Sequence, residues 1–241
     1  MGGHRHAVRP ARRHGSLVAA GCVAVLVAAV IGGVAWTTGV GRTDHHRLHA
    51  RGAAAENSPM NSLHGSERDA VPGACDTLSA SLASKLAPGA DRSETVATQT
   101  DQHSECAWSL YGADRSRQLN VELRAIAAGG GTSATDTAIR TFDDEWRSDR
   151  QGKDLADGAK VHDSRGVTGV GEQAYVVYTV DGTDAIGAAV ANARLANVLV
   201  TVHFSGGDHL QTNGKPLSSA AAGDGALQAA RDIISKLESH S

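Results

Sequence analysis

Residues Gln173 to Phe204, QAYVVYTVDGTDAIGAAVANARLANVLVTVHF, decide the fold. Three apolar stretches, Gln173 to Val180, Ala185 to Ala193 and Val198 to Phe204, are separated by a turn containing Asp181-Gly182 and a second turn near Leu195 to Asn197. Valine and tyrosine suit the pleated surface of a strand, and Asp-Gly supplies a tight reversal, so this segment predicts a three-stranded antiparallel meander. In its last strand Val198, Val200, Val202 and Phe204 share one face, which sends Leu199, Thr201 and His203 to the other.

Working outward, Lys160 to Val167 can add an edge strand. Further upstream, CAWSLY (Cys106 to Tyr111) points Cys106, Trp108 and Leu110 one way, and QLNVELRAIA alternates Leu119, Val121, Leu123 and Ala125 with Asn120, Glu122 and Arg124. These two runs predict a hairpin with one wet face. Three helices frame the strands. Asp76 can cap one carrying Leu78, Leu82 and Leu86 and stopped by Pro88-Gly89. Ser133 or Thr135 can start a second with Ala138, Ile139, Phe142 and Trp146 on its apolar side, and the third spans Ser219 to Ser239 with Leu227, Ala230, Ile233, Ile234 and Leu237 as its stripe. The expectation is an α+β fold, an antiparallel sheet of about five strands with helices packed on one face.

Ahead of this domain lies Leu17 to Trp36, twenty residues without a charge. A helix of that length is about 30 Å long and matches a bilayer's hydrocarbon core. The predicted organisation is a basic cytoplasmic tail at 1–15, a single transmembrane anchor at 16–38, a flexible linker at 39–72 and an extracytoplasmic domain at 73–241. A cleaved signal leaving after Gly33-Val34-Ala35, or a lipid anchor on Cys22, are the alternatives. Arg5, Arg9, Arg12 and Arg13 precede the span and Arg42, Arg47 and Arg51 follow it, a bias toward an inside amino terminus and a cell-membrane, single-pass protein with its carboxy-terminal domain outside.

Residues 73–241 carry 15 Lys and Arg against 22 Asp and Glu, a balance that argues against nucleic acid as a partner. Outside the span the cysteines are Cys75 and Cys106. An even pair fits a disulfide in an oxidising compartment, the alternative being two free buried thiols, and a metal site would need further ligands at short spacing. Aromatic residues make up 3% of the chain, so the core rests on Val, Leu, Ile and Ala.

No Cys-x-x-Cys, His-Glu-x-x-His, Gly-x-Ser-x-Gly or phosphate loop is present. The run GVTGVG at Gly166 to Gly171 precedes a strand instead of opening a helix, so its glycines read as turn residues. His162, Asp163 and Ser164 are consecutive and cannot converge as a triad. Asp181 and Asp184 read as hairpin residues before a calcium site, and His45, His46, His49 and His64 as solvated linker residues. His203 with Leu199 and Thr201 is the candidate binding face. No catalytic residue, cofactor or metal is expected.

The set CDTLSASLASKL (Cys75 to Leu86), CAWSL (Cys106 to Leu110), VTGVGEQAY (Val167 to Tyr175), ANVLVTVHFSG (Ala196 to Gly206) and a closing Ala-rich helix resembles the extracytoplasmic domains of actinobacterial envelope proteins, among them secreted lipoproteins of unknown function. It is similar in outline to the extracellular sensor domain of PknH-like receptor kinases. The resemblance implies an α+β domain, a Cys75 to Cys106 bond and a non-catalytic sensing or binding role. The kinase sensor domains have a second disulfide, for which this domain has no cysteines. The function expected is that of a membrane-anchored envelope protein binding another envelope protein or a small extracellular ligand. The alternative is a secreted or anchored hydrolase whose site is assembled from distant residues.

Overall fold

The computed structural model describes residues 66–94, 99–183 and 185–239. The predicted span, the basic tail and most of the predicted linker lie outside the described residues. Among the described residues no helix is long and apolar enough to cross a membrane.

The chain forms α1 (Ala74–Thr77), α2 (Ala80–Leu86), β1 (Asp91–Glu94), β2 (His103–Tyr111), β3 (Arg115–Ala125), α3 (Ala134–Gln151), β4 (Lys160–Val167), β5 (Gln173–Val180), β6 (Gly187–Leu195), β7 (Val198–Asp208), β8 (Lys215–Pro216) and α4 (Ser219–Ser239). All strands pair antiparallel in one sheet of eight, ordered β1-β2-β3-β7-β6-β5-β4, with β8 on the end of β7. The α+β class and the meander are as expected; about five strands is an underestimate. The short strands β1 and β8 carry no apolar alternation, β1 being exposed throughout. Backbone pairing to a neighbour makes them strands, which sequence periodicity does not report.

Helices cover both faces of the sheet, which corrects the one-face expectation. On the first face α1, α2 and α4 pack on Leu119, Val121, Leu123, Val198, Val200, Val202 and Phe204. On the second, α3 lays Ala138, Phe142 and Trp146 over Tyr175, Val177 and Leu199. The physical cause is topological. After β3, in mid-sheet, the chain must reach the far edge to begin β4, and α3 carries it there across the second face before β4 to β7 return to meet β3. Strand β5 carries the matching signal: five consecutive residues, Ala174 to Tyr178, are buried, as befits a strand covered on both sides.

Small residues let α4 close on the sheet. Ala222, Gly223, Gly225, Ala226, Ala229 and Ala230 are buried, and a Cβ at Gly225 would stand 2.7 Å from Cδ1 of Phe204. The helix expected over Leu78 to Leu86 is split at Leu78, whose extended backbone (ψ 132°) ends α1, and Ser79 opens α2. The backbone N–H of Ser79 donates to Asp232 Oδ2 of α4 at 2.7 Å, so a tertiary partner satisfies an amide at the break. Cys75 of α1 and Cys106 of β2 form a disulfide with Cα atoms 5.0 Å apart.

The ordered body starts earlier than residue 73. Arg68 N–H donates to Asn197 Oδ1 at 2.8 Å, Asn197 Nδ2 returns a bond to Arg68 O at 2.8 Å and another to Ile126 O at 2.9 Å, and Val71 N–H donates to Asp101 O at 2.8 Å. Asn197 is buried at the β6–β7 turn and so ties three distant segments together. The end of the stretch expected as linker is therefore part of the domain.

Candidate functional site

Strand pairing turns the polar side of the second face into rows. Glu105, Glu122, Thr201, Asn192 and Tyr175 stand directly opposite one another across β2, β3, β7, β6 and β5. Residues paired in this way project to the same side of a sheet. One row further along β7 lie Ala107, Asn120, His203, Val190 and Val177, and on the other side lie His103, Arg124, Leu199, Arg194 and Gln173.

A hydrogen-bond chain runs along half of the central row. Thr201 Oγ1 donates to Asn192 Oδ1 at 2.5 Å, Asn192 Nδ2 to Tyr175 Oη at 2.5 Å, and Tyr175 Oη to Asp149 Oδ2 of α3 at 2.7 Å. Burial, and then the neighbouring Asp149 carboxylate, push the Tyr175 hydroxyl far above its ordinary pKa, which keeps it a neutral donor. Burial also raises Asp149 despite the Tyr175 bond. Phe142 meets the Tyr175 ring edge-on at 5.1 Å and Trp146 stacks on it at 5.6 Å. This end of the face is closed.

The other end carries charge. Arg124 Nη2 donates to Glu145 Oε1 of α3 at 2.8 Å, and its Nε lies 3.2 Å from Glu122 Oε1. Burial opposes the guanidinium's charge, but Glu145 and Glu122 outweigh it and its pKa rises. Burial raises the Glu145 carboxyl against the pull of Arg124. On the far side of Glu122, His103 Nε2 contacts Glu122 Oε1 at 2.9 Å and Glu105 Oε1 at 3.5 Å.

The structure divides the candidate binding face. Leu199 is 1% exposed and packs beneath α3, so it is core and not surface, which corrects its expected accessibility. Thr201 is half-buried with its hydroxyl engaged by Asn192. His203 is half-buried, and burial lowers its pKa. Opposite His203 stands Asn120, whose buried Oδ1 has no hydrogen-bond partner among the described residues. Such an acceptor is costly unless a ligand or water satisfies it. Asn120, Glu122, His103 and Glu105 are the residues sequence reasoning missed. They occupy the polar side of the β2–β3 hairpin, which was legible, but the placement of Asn120 opposite His203 depends on the β3–β7 pairing.

The remaining sequence candidates do not assemble. Asp181 Oδ1 accepts the backbone N–H groups of Ala185 and Ile186 at 2.9 Å, so it shapes the β5–β6 turn. Gly169 and Gly171 have positive φ, and a Cβ at Gly171 would stand 2.5 Å from the carbonyl oxygen of Arg194, so both are turn glycines. His162 is exposed on β4, and the His162 and Tyr178 ring centroids are 6.3 Å apart. His209 is exposed in the left-handed region, 3.7 Å from Asp114.

No protein-family model matches the chain, and no curated protein matches it. Among solved structures, the extracellular domain of PknH from Mycobacterium tuberculosis matches at 14% identity with a TM-score of 0.41, covering 72% of this chain and 100% of that one. It is a likeness in outline, at an identity too low to carry residues or activity across.

A pH prediction follows from His203. Its folded-state pKa lies below the unfolded value of about 6.5, so the stability contributed by its neutral form is present above about pH 6.5 and is lost as the pH falls toward the folded pKa. Glu145 and Asp149, raised by burial, act oppositely and add stability as the pH falls through their folded pKa values. The difference between wild type and His203→Gln isolates the histidine. Urea unfolding between pH 8 and 5 is expected to show wild type losing stability relative to the variant on the acid side, and parallel curves would contradict the desolvated state of the ring.

Proposed function

We propose that this domain is a non-catalytic binding module of a membrane-anchored, extracytoplasmic envelope protein. Its ligand contact is the β2–β3–β7 part of the second face, centred on Asn120 and His203. The observation that carries this reading is the buried Asn120 Oδ1, unpartnered among the described residues, on a residue directly opposite a half-buried histidine. An acceptor of this kind needs a donor, and a histidine with a lowered pKa presents a neutral ring beside it. The ligand fitted by that pair is an uncharged molecule bearing hydroxyl or amide groups, such as an envelope glycan or peptide. The apolar span at 17–36 and the Cys75–Cys106 bond support the extracytoplasmic assignment.

The second reading, a hydrolase of the serine or cysteine type, needs a nucleophile held against a base. Among the described residues, His103 contacts Glu105 and Glu122, and His209 lies 3.7 Å from Asp114.

The test is titration of the full chain with a neutral envelope oligosaccharide, read by nuclear magnetic resonance at the His203 ring and the Asn120 side-chain amide. Binding is expected to shift both. Asn120→Ala and His203→Ala should each weaken binding about tenfold, since a lost hydrogen bond that strands its partner costs about 1–3 kcal/mol. Perturbations centred on another face, or product formation from the oligosaccharide, would overturn the reading.

A further inference from the structure

We propose that His103, Glu105 and Glu122 form a binding site for one divalent transition metal of the zinc class. His103 and Glu105 are two residues apart on β2 and so share a face, and Glu122 stands directly opposite Glu105 on β3. Two carboxylates facing each other across neighbouring strands repel, and an imidazole nitrogen sits against both of them. His103 Nε2 is 2.9 Å from Glu122 Oε1 and 3.5 Å from Glu105 Oε1, and the three donor atoms lie within 4.8 Å of one another.

The two separations from His103 suit a metal. Around a tetrahedral zinc with bonds of about 2.0–2.1 Å, neighbouring donor atoms are about 3.3 Å apart. One imidazole nitrogen with two carboxylate oxygens is a donor set for zinc and its neighbours in the first transition row, whereas calcium and magnesium prefer oxygen alone and more of it. All three side chains leave hydrogen-bonded strands, and Glu105 is next to the disulfide-bonded Cys106, so the backbone fixes their spacing.

Arg124 is the competitor for Glu122, with Nε 3.2 Å from Oε1. It also holds Glu145 at 2.8 Å, so a partner on α3 offsets its charge when the metal takes Glu122. Bound metal requires His103 Nε2 to be the unprotonated nitrogen, and so displaces any proton held there. Neither Asn120 nor His203 is a ligand, and the metal site stands or falls independently of the binding reading.

Thermal unfolding of the full chain with Zn²⁺ tests the site. A metal held by the folded state at a hundredfold excess over its Kd should raise Tm by about 5 to 10 °C, whereas histidines that bind equally in the folded and unfolded chain leave Tm unmoved. Mg²⁺ should give no shift. The variants H103Q, E105Q and E122Q should lose most of the Zn²⁺ shift while keeping a metal-free Tm close to wild type. Co²⁺ should give the visible absorption of a tetrahedral nitrogen–oxygen site in wild type, a readout that does not depend on the variants folding. Absence of the Tm shift or of the Co²⁺ band in wild type, an equal shift with Mg²⁺, or a full Zn²⁺ shift surviving in all three variants would overturn the site and leave an imidazole bridging two carboxylates.

Discussion

Replacing Cys75 and Cys106 together by Ala is expected to lower the stability of the domain by about 3 to 4 kcal/mol at 25 °C, the loop-entropy value for a bridge of this span. The two cysteines are 31 residues apart in sequence and are 6% and 1% exposed, so Ala is the appropriate replacement, since Ser would bury a hydroxyl. The effect is large because of what the bond holds. Helix α1 has four residues and cannot persist alone, and beyond the disulfide its fixed points include Ala74 N–H on Ser104 Oγ at 2.8 Å and Lys236 Nζ on Asp76 O at 2.7 Å. Releasing it loosens α2 and uncovers the first-face core. Urea unfolding of wild type with and without reductant, beside the double variant, measures this. A difference under about 1 kcal/mol would mean that the bond adds little and that packing alone retains α1.

Tyr175→Ala is expected to cost about 3 to 5 kcal/mol, the range for deleting a large buried aromatic side chain. The residue is fully buried, packs against Phe142 and Trp146, and bonds Asp149 and Asn192. Its loss opens a cavity under α3 and strands the two polar partners together. Tyr175→Phe keeps the ring and removes only the hydroxyl, so it should cost about 1 to 3 kcal/mol. Guanidinium unfolding, with tryptophan fluorescence reporting the Trp146 stack, separates the two contributions. Equal losses in the two variants would assign the energy to the hydrogen-bond chain and not to packing. Because α3 closes one end of the second face, Tyr175→Ala should also widen access to Thr201 and Leu199, which a glycan titration of the folded fraction would register.

Several elements were readable from local pattern. The bounds of β4, β5 and α4 match those expected from apolar period and breakers, and Ser133 starts α3 by accepting the Asp136 N–H at 3.0 Å, as a capping serine should. These are local because a cap, a turn glycine and an alternating strand depend on neighbours a few residues away. The pairing of the two cysteines was also legible, since only two lie in the domain.

Alternation along Val198 to Phe204 told which side chains share a face, and it assigned Leu199, Thr201 and His203 together. It could not tell what covers that face. The path of α3 from mid-sheet to the β4 edge makes Leu199 core and leaves His203 half-buried, a choice set by the order in which strands join. The same holds for the candidate site. Asn120 and His203 are 83 positions apart and meet only because the returning meander pairs β7 with β3, and Glu105 and Glu122 oppose each other only through the hairpin register. By itself the sequence determined the types of the longer elements, which side chains share a face and the disulfide, because short-range sterics and hydrophobic period encode them. The tertiary structure alone decided which polar residues converge, because strand order and register are properties of the closed sheet and not of any segment in it.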